Sequence, residues 1–302
     1  MININLENNR DLYVDYEESL KFLQSLDESL YEYPSETTYF HLYSEIKNDL
    51  ELMAVKSYFA TQNLEKTQLI LWSDYDVTKN ERLKPFRDLI NFKVYKPLEL
   101  AKGTPLEGNN RQLLATDTRH YMMSGMLRFL ATYVKGGIWY DMDMILLRDF
   151  VPILDQEFAY SWGGVLDFSG FGSCAALMGI NKGSEHSGIC LDEISRAPIR
   201  SNTVCRDREL LAGVYRRKPF TVFPTSFFNT EWMINQKYPG LANKFQTGWF
   251  NKNDYSEQLF PGAFAWHWHN GGGINKYVVQ PGSKFHILVS IIDRKLKERN
   301  LV

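Results

Sequence analysis

Between residues 37 and 96 the chain alternates short apolar runs with a helical segment, and this order most constrains its fold. Residues 37–44, 67–73 and 91–96 are rich in β-branched and aromatic residues, which predicts three strands. Residues 49–63 carry apolar side chains at helical spacing, which predicts a helix between the first two strands. The order predicts an α/β fold with a mainly parallel sheet covered by helices, and a ligand site beyond the carboxyl ends of the strands.

The rest of the chain predicts further helices around this sheet. Residues 1–36 are polar with a partial apolar stripe that includes Leu23 and Leu30, which predicts a helical extension before a single domain over residues 37–302. Other predicted helices run from Asp117 or Thr118 to about Lys135, over 183–196, over 206–216, and from about 285.

Composition narrows the class of protein. The chain has 302 residues and a formal net charge of -2. This charge balance offers no basic surface, so we expect no nucleic-acid partner. Its three cysteines are an odd number without metal-type spacing, which predicts a reducing compartment. The N-terminus resembles neither a signal peptide nor an anchor, and no apolar run reaches spanning length. We expect a cytoplasmic protein without a transmembrane segment, with peripheral membrane contact as an alternative.

Two aspartates interrupt the apolar run of residues 137–147. A buried carboxylate is costly unless something pairs with it, so Asp141 and Asp143 require an explanation. If the run is one strand, both acids project from the side of Trp139, and Tyr140 lies opposite. Two adjacent carboxylates suit a hard divalent cation that could also bind a diphosphate. The alternative is a solvated strand end.

A second Asp-x-Asp shows how little this spacing means alone. Asp74 and Asp76 follow the predicted strand 67–73, but no Gly-Gly precedes them and a polar stretch follows. We interpret this copy as a strand-ending turn.

The wider context of the first pair is more specific. The segment SGMLRFLATYVKGGIWYDMDMILLRDF resembles the sugar-binding segment of the DXD-motif glycosyltransferases, the family that includes Golgi α-1,4-galactosyltransferases and α-1,6-mannosyltransferases. That family shows Ser-Asp-x-x-Arg on a helix, then Gly-Gly-x-Tyr-x-Asp-x-Asp before an apolar strand. The matching positions here are Ser124, Arg128, Gly136, Gly137, Tyr140, Asp141 and Asp143. The resemblance is close over about residues 120–150 and implies a GT-A fold with a Rossmann-like sheet.

The resemblance also implies roles for these residues. Asp141 and Asp143 would bind Mn²⁺ or Mg²⁺, with Asp141 also acting in catalysis. The sugar nucleotide would contact Arg128, Ser124, Gly137, Tyr140 and Asp141. Residues 37–150 would form the nucleotide-sugar half and residues 151–302 the acceptor half. The chain departs from the family at Gly125, where relatives carry an aspartate, and this leaves the donor open.

The segment FAWHWHNGGG, residues 264–273, resembles the late His-containing segment of the same family. His267 and His269 would share one side of a strand, with the tryptophans opposite. His267 is then the expected ligand of the metal or diphosphate, with His269 as the second choice. The alternative is a pair of hydrogen-bonded histidines at a strand end. The following glycines, 271–273, could form a loop that closes over phosphates.

Three further features have two interpretations each. Asp207 is a candidate general base for an inverting transfer, or a helix-capping acid. Asp167 is a candidate acceptor contact, or part of a turn. The basic end of the last predicted helix indicates a docked helix, or contact with anionic lipid.

Together these features predict a metal-dependent glycosyltransferase that moves one sugar from a nucleoside diphosphate sugar to a hydroxyl of a glycan or glycolipid. UDP-sugar is the favoured donor and GDP-sugar the second. One rival is a nucleotidyltransferase, which also uses paired aspartates but usually begins a helix at Gly-Ser and adds a third acid. The other rival binds sugar nucleotides or glycans without turnover.

Overall fold

The structure, a computed structural model, describes residue 2 and residues 9–115, 121–161, 173–197, 207–230, 260–269 and 279–302, except the side chains of 121–122 and 207–209. Its helices are α1 Arg10–Val14, α2 Tyr16–Ser25, α3 Asp49–Thr61, α4 Pro97–Leu100, α5 Asn110–Leu113, α6 Tyr121–Lys135, α7 Glu185–Arg196, α8 Asp207–Arg217 and α9 Lys284–Glu298. Its strands are β1 Thr38–Tyr43, β2 Thr67–Ser73, β3 Asn91–Val94, β4 Gly137–Tyr140, β5 Met144–Leu146, β6 Phe158–Ser161, β7 Ser173–Ile180, β8 Thr221–Phe223 and β9 Ala265–His267.

In this described part, seven strands form one sheet in the order β3-β2-β1-β4-β7-β6-β8. β1 runs parallel to β2 and β4, β2 to β3, and β6 to β8. β7 runs antiparallel to β4 and β6. The predicted mainly parallel α/β sheet is confirmed, and the carboxyl ends of β1, β2 and β4 meet at one edge.

Apolar side chains alternate between the two faces of the sheet, as strand geometry requires. Along β2, Leu69 and Leu71 join the core under α3 and α9, whereas Ile70 and Trp72 join the core under α6 and α7. Both faces are covered by helices, which explains why the strands are continuous apolar runs in the sequence.

The predicted helices begin and end at recognisable capping residues. The Asn48 side chain accepts the Glu51 N–H at 3.0 Å, and Ser184 and Ser283 cap α7 and α9 in the same way. Gly136 ends α6 with φ +72°. The predicted start of that helix, at Asp117 or Thr118, lies outside the described residues.

The predicted N-terminal extension is two short helices followed by a 3-10 turn at Glu28–Leu30. Leu23 is fully buried in the main core, but Leu30 is 78% exposed. The predicted apolar stripe therefore holds at Leu23 and is wrong at Leu30.

The last helix docks on the body of the protein. Phe285, Leu288 and Ile292 of α9 are buried in the same core as α3. The Arg299 guanidinium donates to the carbonyls of Phe59 and Gln62, at 2.9 and 2.7 Å, and so caps the end of α3. This geometry favours the docked-helix interpretation of the basic end. Among the described residues, no helix combines the length and the apolar character that crossing a membrane requires.

The prediction of one strand through the aspartate pair is wrong. β4 belongs to the main sheet, whereas β5 pairs antiparallel with β9 in a separate two-stranded sheet. The chain turns between them, and the Met144 N–H donates to the Asp141 carbonyl at 3.0 Å. The break has a long-range cause, because β5 takes its partner from residues 265–267.

Gly137 begins β4 in a conformation that only glycine adopts easily, with φ +108°. A Cβ there would lie 2.1 Å from the Tyr39 carbonyl oxygen, so β1 and β4 could not approach as they do. We expect Gly137→Ala to lower the free energy of unfolding by more than about 3 kcal/mol, measured by chemical denaturation.

The control is Gly213→Ala in α8, where an added Cβ meets no described atom within 4 Å. This change should stabilise the protein by up to about 1 kcal/mol through helix propensity. Equal stability of the two variants would contradict the close-approach explanation.

Candidate functional site

Asp141 lies directly after the carboxyl end of β4 and is held by two donors. Arg128 Nη2 on α6 donates to its two carboxylate oxygens at 3.0 and 3.1 Å. Trp139 Nε1 donates to Oδ1 at 2.7 Å, so Trp139 and Asp141 do share a side. The Arg128 guanidinium also lies over the Trp139 ring, 5.7 Å from its centroid. These three side chains form one unit, which we call the arginine cluster.

Burial and the neighbouring charged groups together set the pKa of Asp141. Burial raises the pKa of Asp141 to about 6; Arg128 opposes this rise and Asp143 adds to it. The cost of burying the charge therefore exceeds the stabilisation by Arg128, and the carboxyl group of Asp141 is harder to ionise than that of an exposed aspartate.

Asp143 faces a histidine that comes from the other end of the chain. Pairing of β5 with β9 sets Met144 opposite His267. The Trp268 N–H donates to the Asp143 carbonyl at 3.0 Å and extends the ladder by one step. His267 Nε2 then lies 3.3 Å from Asp143 Oδ2, with both side chains largely buried. A carboxylate oxygen and an imidazole nitrogen thus lie close together at the far side of the β4–β5 turn from the arginine cluster.

The rings of the two histidines lie side by side, with centroids 3.7 Å apart, but β9 ends at His267, so the predicted shared strand does not extend to His269. His269 follows β9 with a left-handed backbone, φ +52°. Burial, and then the neighbouring His267, lowers the pKa of His269 to about 2, so its ring is neutral. Its Nε2 lies 3.0 Å from Asn229 Nδ2.

Not all residues of the motif reach this site. Ser124 is half-buried on α6, one turn before Arg128 on nearly the same face. The Tyr140 ring lies in the core on the opposite face of the sheet, with its hydroxyl 3.4 Å from the Ala54 carbonyl. Gly137 lies at the other end of β4, against Tyr39. The structure does not bring Tyr140 and Gly137 to the aspartates.

Some candidates lie outside the described residues. They are the side chain of Asp207, where α8 begins, and all of Asp167 and residues 271–273. Their assigned roles stay predictions.

The second Asp-x-Asp has the contacts of a turn. The Tyr43 hydroxyl donates to Asp74 Oδ1 at 2.7 Å. The Thr78 N–H donates to Asp76 Oδ1 at 2.8 Å, and this bond lowers the pKa of Asp76. This geometry favours our interpretation of a strand-ending turn.

Three residues near the site had no signal in the sequence. Tyr160 places its hydroxyl 3.0 Å from His267 Nδ1, and Asn229 reaches His269. Arg148 donates to the Gly262 carbonyl at 3.2 Å, just before β9. Each contact joins residues that are far apart in the chain, so no local spacing reveals it.

The donors present fit part of a metal site. Across the described ranges, no group of three or more His, Cys, Asp or Glu side chains is arranged to hold a metal ion. Asp143 and His267 offer an oxygen and a nitrogen donor, whereas Asp141 is engaged by Arg128. This half-site fits a cation that takes its remaining ligands from water and phosphate, as Mg²⁺ and Mn²⁺ do with nucleotides.

Replacement of Arg128 should lower the free energy of unfolding, because Asp141 is then buried without its cation. In Arg128→Met the carboxylate loses its cation, so its pKa should rise above about 6. The raised pKa makes ionisation costly in the folded state, so stability should fall as pH rises through that pKa. We expect a loss of about 2 kcal/mol at pH 8 and a smaller loss at pH 5, from urea denaturation at both values. A loss that does not change with pH would show that Arg128 acts only through packing.

No protein-family model matches the chain, and neither does any curated protein sequence. Among solved structures, the glycosyltransferase GlyE of Streptococcus pneumoniae matches with a TM-score of 0.50 and 11% identity, over 88% of this chain and 64% of that one. PaToxG glycosyltransferase matches with a TM-score of 0.44 and 12% identity, over 94% and 95%. The galactosyltransferase LgtC, in complex with donor and acceptor sugar analogs, matches with a TM-score of 0.42 and 12% identity, over 88% and 100%. Together with the sheet topology, the GlyE match shows that the chain has the GT-A glycosyltransferase fold.

Proposed function

We propose that the protein is a metal-dependent glycosyltransferase. It would transfer one sugar from a nucleoside diphosphate sugar, with UDP-sugar favoured over GDP-sugar, to a hydroxyl of a glycan or glycolipid. The observation that carries this proposal is the approach of His267 Nε2 to within 3.3 Å of Asp143 Oδ2, beside Asp141 at the carboxyl end of β4. Ligands of open α/β sheets bind at this edge. The GT-A fold and the DXD-type segment support the same assignment.

The metal would be Mn²⁺, with Mg²⁺ as the second choice. Asp143 and His267 would hold it. Mg²⁺ prefers oxygen ligands alone, so a site with one carboxylate and one imidazole suits Mn²⁺ better than Mg²⁺. When bound, such a cation neutralises the charge that develops on a departing diphosphate.

The arginine cluster would position the donor. Asp141 can accept hydrogen bonds from hydroxyls of the ribose or the sugar, and Arg128 holds its carboxylate in one orientation through two contacts. Ser124, on the same face of α6, would contact the same ligand. A positioned carboxylate of this kind fixes the reacting carbon relative to the acceptor.

Removal of the acceptor proton depends on the stereochemical course. An inverting transfer requires a general base, and Asp207 is the proposed residue. An Asp207→Asn variant with unchanged kcat would exclude that role.

The first test of the function is Asp143→Ala. It removes the carboxylate that faces His267, so we expect kcat for sugar transfer to fall by about 100-fold or more, and Mn²⁺-dependent nucleotide binding to be lost. The fold should be retained, because the contact of Asp143 that extends the β5–β9 pairing uses its backbone carbonyl and not its side chain. The measurements are nucleotide release from a panel of sugar nucleotides and a thermal melt.

The matched control is Asp74→Ala in the second Asp-x-Asp. This variant should leave kcat for sugar transfer and Mn²⁺-dependent nucleotide binding unchanged. Wild-type turnover in Asp143→Ala would contradict the proposed site. Release of pyrophosphate from an added nucleoside triphosphate would identify a nucleotidyltransferase, and binding without any product would identify a non-catalytic binder.

A further inference from the structure

His267 uses both nitrogens of its ring. Nε2 lies 3.3 Å from Asp143 Oδ2, and Nδ1 lies 3.0 Å from the Tyr160 hydroxyl oxygen. A neutral imidazole carries one N–H and one lone pair, so only one of these contacts can use a proton of the ring. The Tyr160 hydroxyl therefore decides, together with Asp143, which nitrogen keeps the lone pair.

Tyr160 has a partner of its own on the neighbouring strand. Tyr160 of β6 and Cys174 of β7 lie directly opposite each other in the antiparallel pairing. Both side chains are buried, at 0% and 3% exposure, so their polar groups must find partners within the protein. The Tyr160 hydroxyl has one proton and two lone pairs, so it can donate to one of these neighbours and accept from the other. His267, Tyr160 and Cys174 form a chain of three groups that runs from the site into the sheet.

We propose that Tyr160, supported by Cys174, is the positioning residue that accepts the Nδ1–H of His267 when Nε2 presents its lone pair to a divalent cation beside Asp143. This inference rests on the cation site of the proposed function. Nδ1–H donates to the Tyr160 oxygen, and the Tyr160 O–H donates to the Cys174 sulfur. The Nδ1–H of His267 and the O–H of Tyr160 then each have an acceptor.

The same chain can run in the opposite direction when no cation is bound. Nε2–H then donates to Asp143, and the Tyr160 O–H donates to Nδ1. On cation binding the ring loses the proton on Nε2 to water and gains one on Nδ1 from water, so its charge and proton count are unchanged. The hydroxyl of Tyr160 is suited to both states because it can donate or accept.

The inference gives Tyr160 a measurable effect on metal affinity. A group that accepts the second N–H of a metal-binding histidine typically changes metal affinity 10- to 100-fold. In Tyr160→Phe the buried Nδ1–H loses its acceptor while the ring volume is kept. We expect the Kd for Mn²⁺ to rise by about 10- to 100-fold, measured on the metal-free full chain by titration calorimetry.

Two variants of Cys174 separate the hydrogen-bond chain from packing. Cys174→Val removes the acceptor behind Tyr160 and should weaken Mn²⁺ binding in the same direction. Cys174→Ser restores an acceptor and should return the affinity towards the wild-type value. In ¹⁵N-labelled wild type with Mg²⁺, the nitrogen shifts of His267 should report the proton on Nδ1.

The matched control is Tyr58→Phe. Tyr58 is also a fully buried tyrosine, but its hydroxyl contacts Thr67 Oγ1 at 2.8 Å, away from the site. This variant should bind Mn²⁺ as wild type does, which controls for the loss of a buried hydroxyl.

Each outcome decides the inference. Unchanged Mn²⁺ affinity in Tyr160→Phe, with a wild type that still transfers sugar, would overturn the role of Tyr160 and leave the proposed function intact. Equal weakening in Cys174→Ser and Cys174→Val would overturn the role of Cys174. A wild type that does not bind Mn²⁺ would overturn this inference together with the metal dependence of the proposed function.

Discussion

The short antiparallel pairing of β5 with β9 is the contact on which the site depends. It involves only residues 144–146 and 265–267, yet it places His267 against Asp143. So short a ladder has little stability alone, and its surroundings supply the rest. The Leu147 N–H donates to the Phe264 carbonyl at 2.9 Å, and the Leu146 N–H donates to Ser57 Oγ of α3 at 3.0 Å.

Arg148 extends this support to the N-terminal segment. Its guanidinium donates to the carbonyls of Leu23 and Leu26 at 2.9 and 3.0 Å, and to the carbonyl of Gly262 at 3.2 Å. It also donates to the Glu28 carboxylate at 2.7 Å. One partly buried side chain therefore joins the end of β5, the approach to β9 and the first helices. This arrangement holds the two strands that carry Asp143 and His267 in a fixed relation.

The two aspartates have different electrostatic surroundings although one residue separates them. Asp141 is neutralised by Arg128 and bonded to Trp139, so its charge is already balanced within the protein. Asp143 faces His267, a group that can give up its contact when a cation arrives. The turn between β4 and β5 separates these roles: Asp141 is suited to orienting a ligand, and Asp143 to holding a cation.

The sequence was most informative where the signals are local. Strand patterns, the end of α6 at Lys135 and the shared side of Trp139 and Asp141 depend on neighbours in the chain, and the structure confirms them. The strand break after Asp141 was missed because it arises from pairing with β9, which no local pattern encodes. Tyr160 and Arg148 were missed for the same reason. Tyr140 illustrates the converse, because a residue of a recognised motif packs in the core.

The central claim is that Asp143 and His267 bind the same cation. Electron spin echo envelope modulation of Mn²⁺ bound to the protein with UDP tests it directly, because the method detects nitrogen nuclei bonded to the metal. We expect an imidazole nitrogen coupling that is present in wild type, lost in His267→Ala and retained in Asp74→Ala. A wild-type spectrum with bound Mn²⁺ and no nitrogen coupling would contradict the claim.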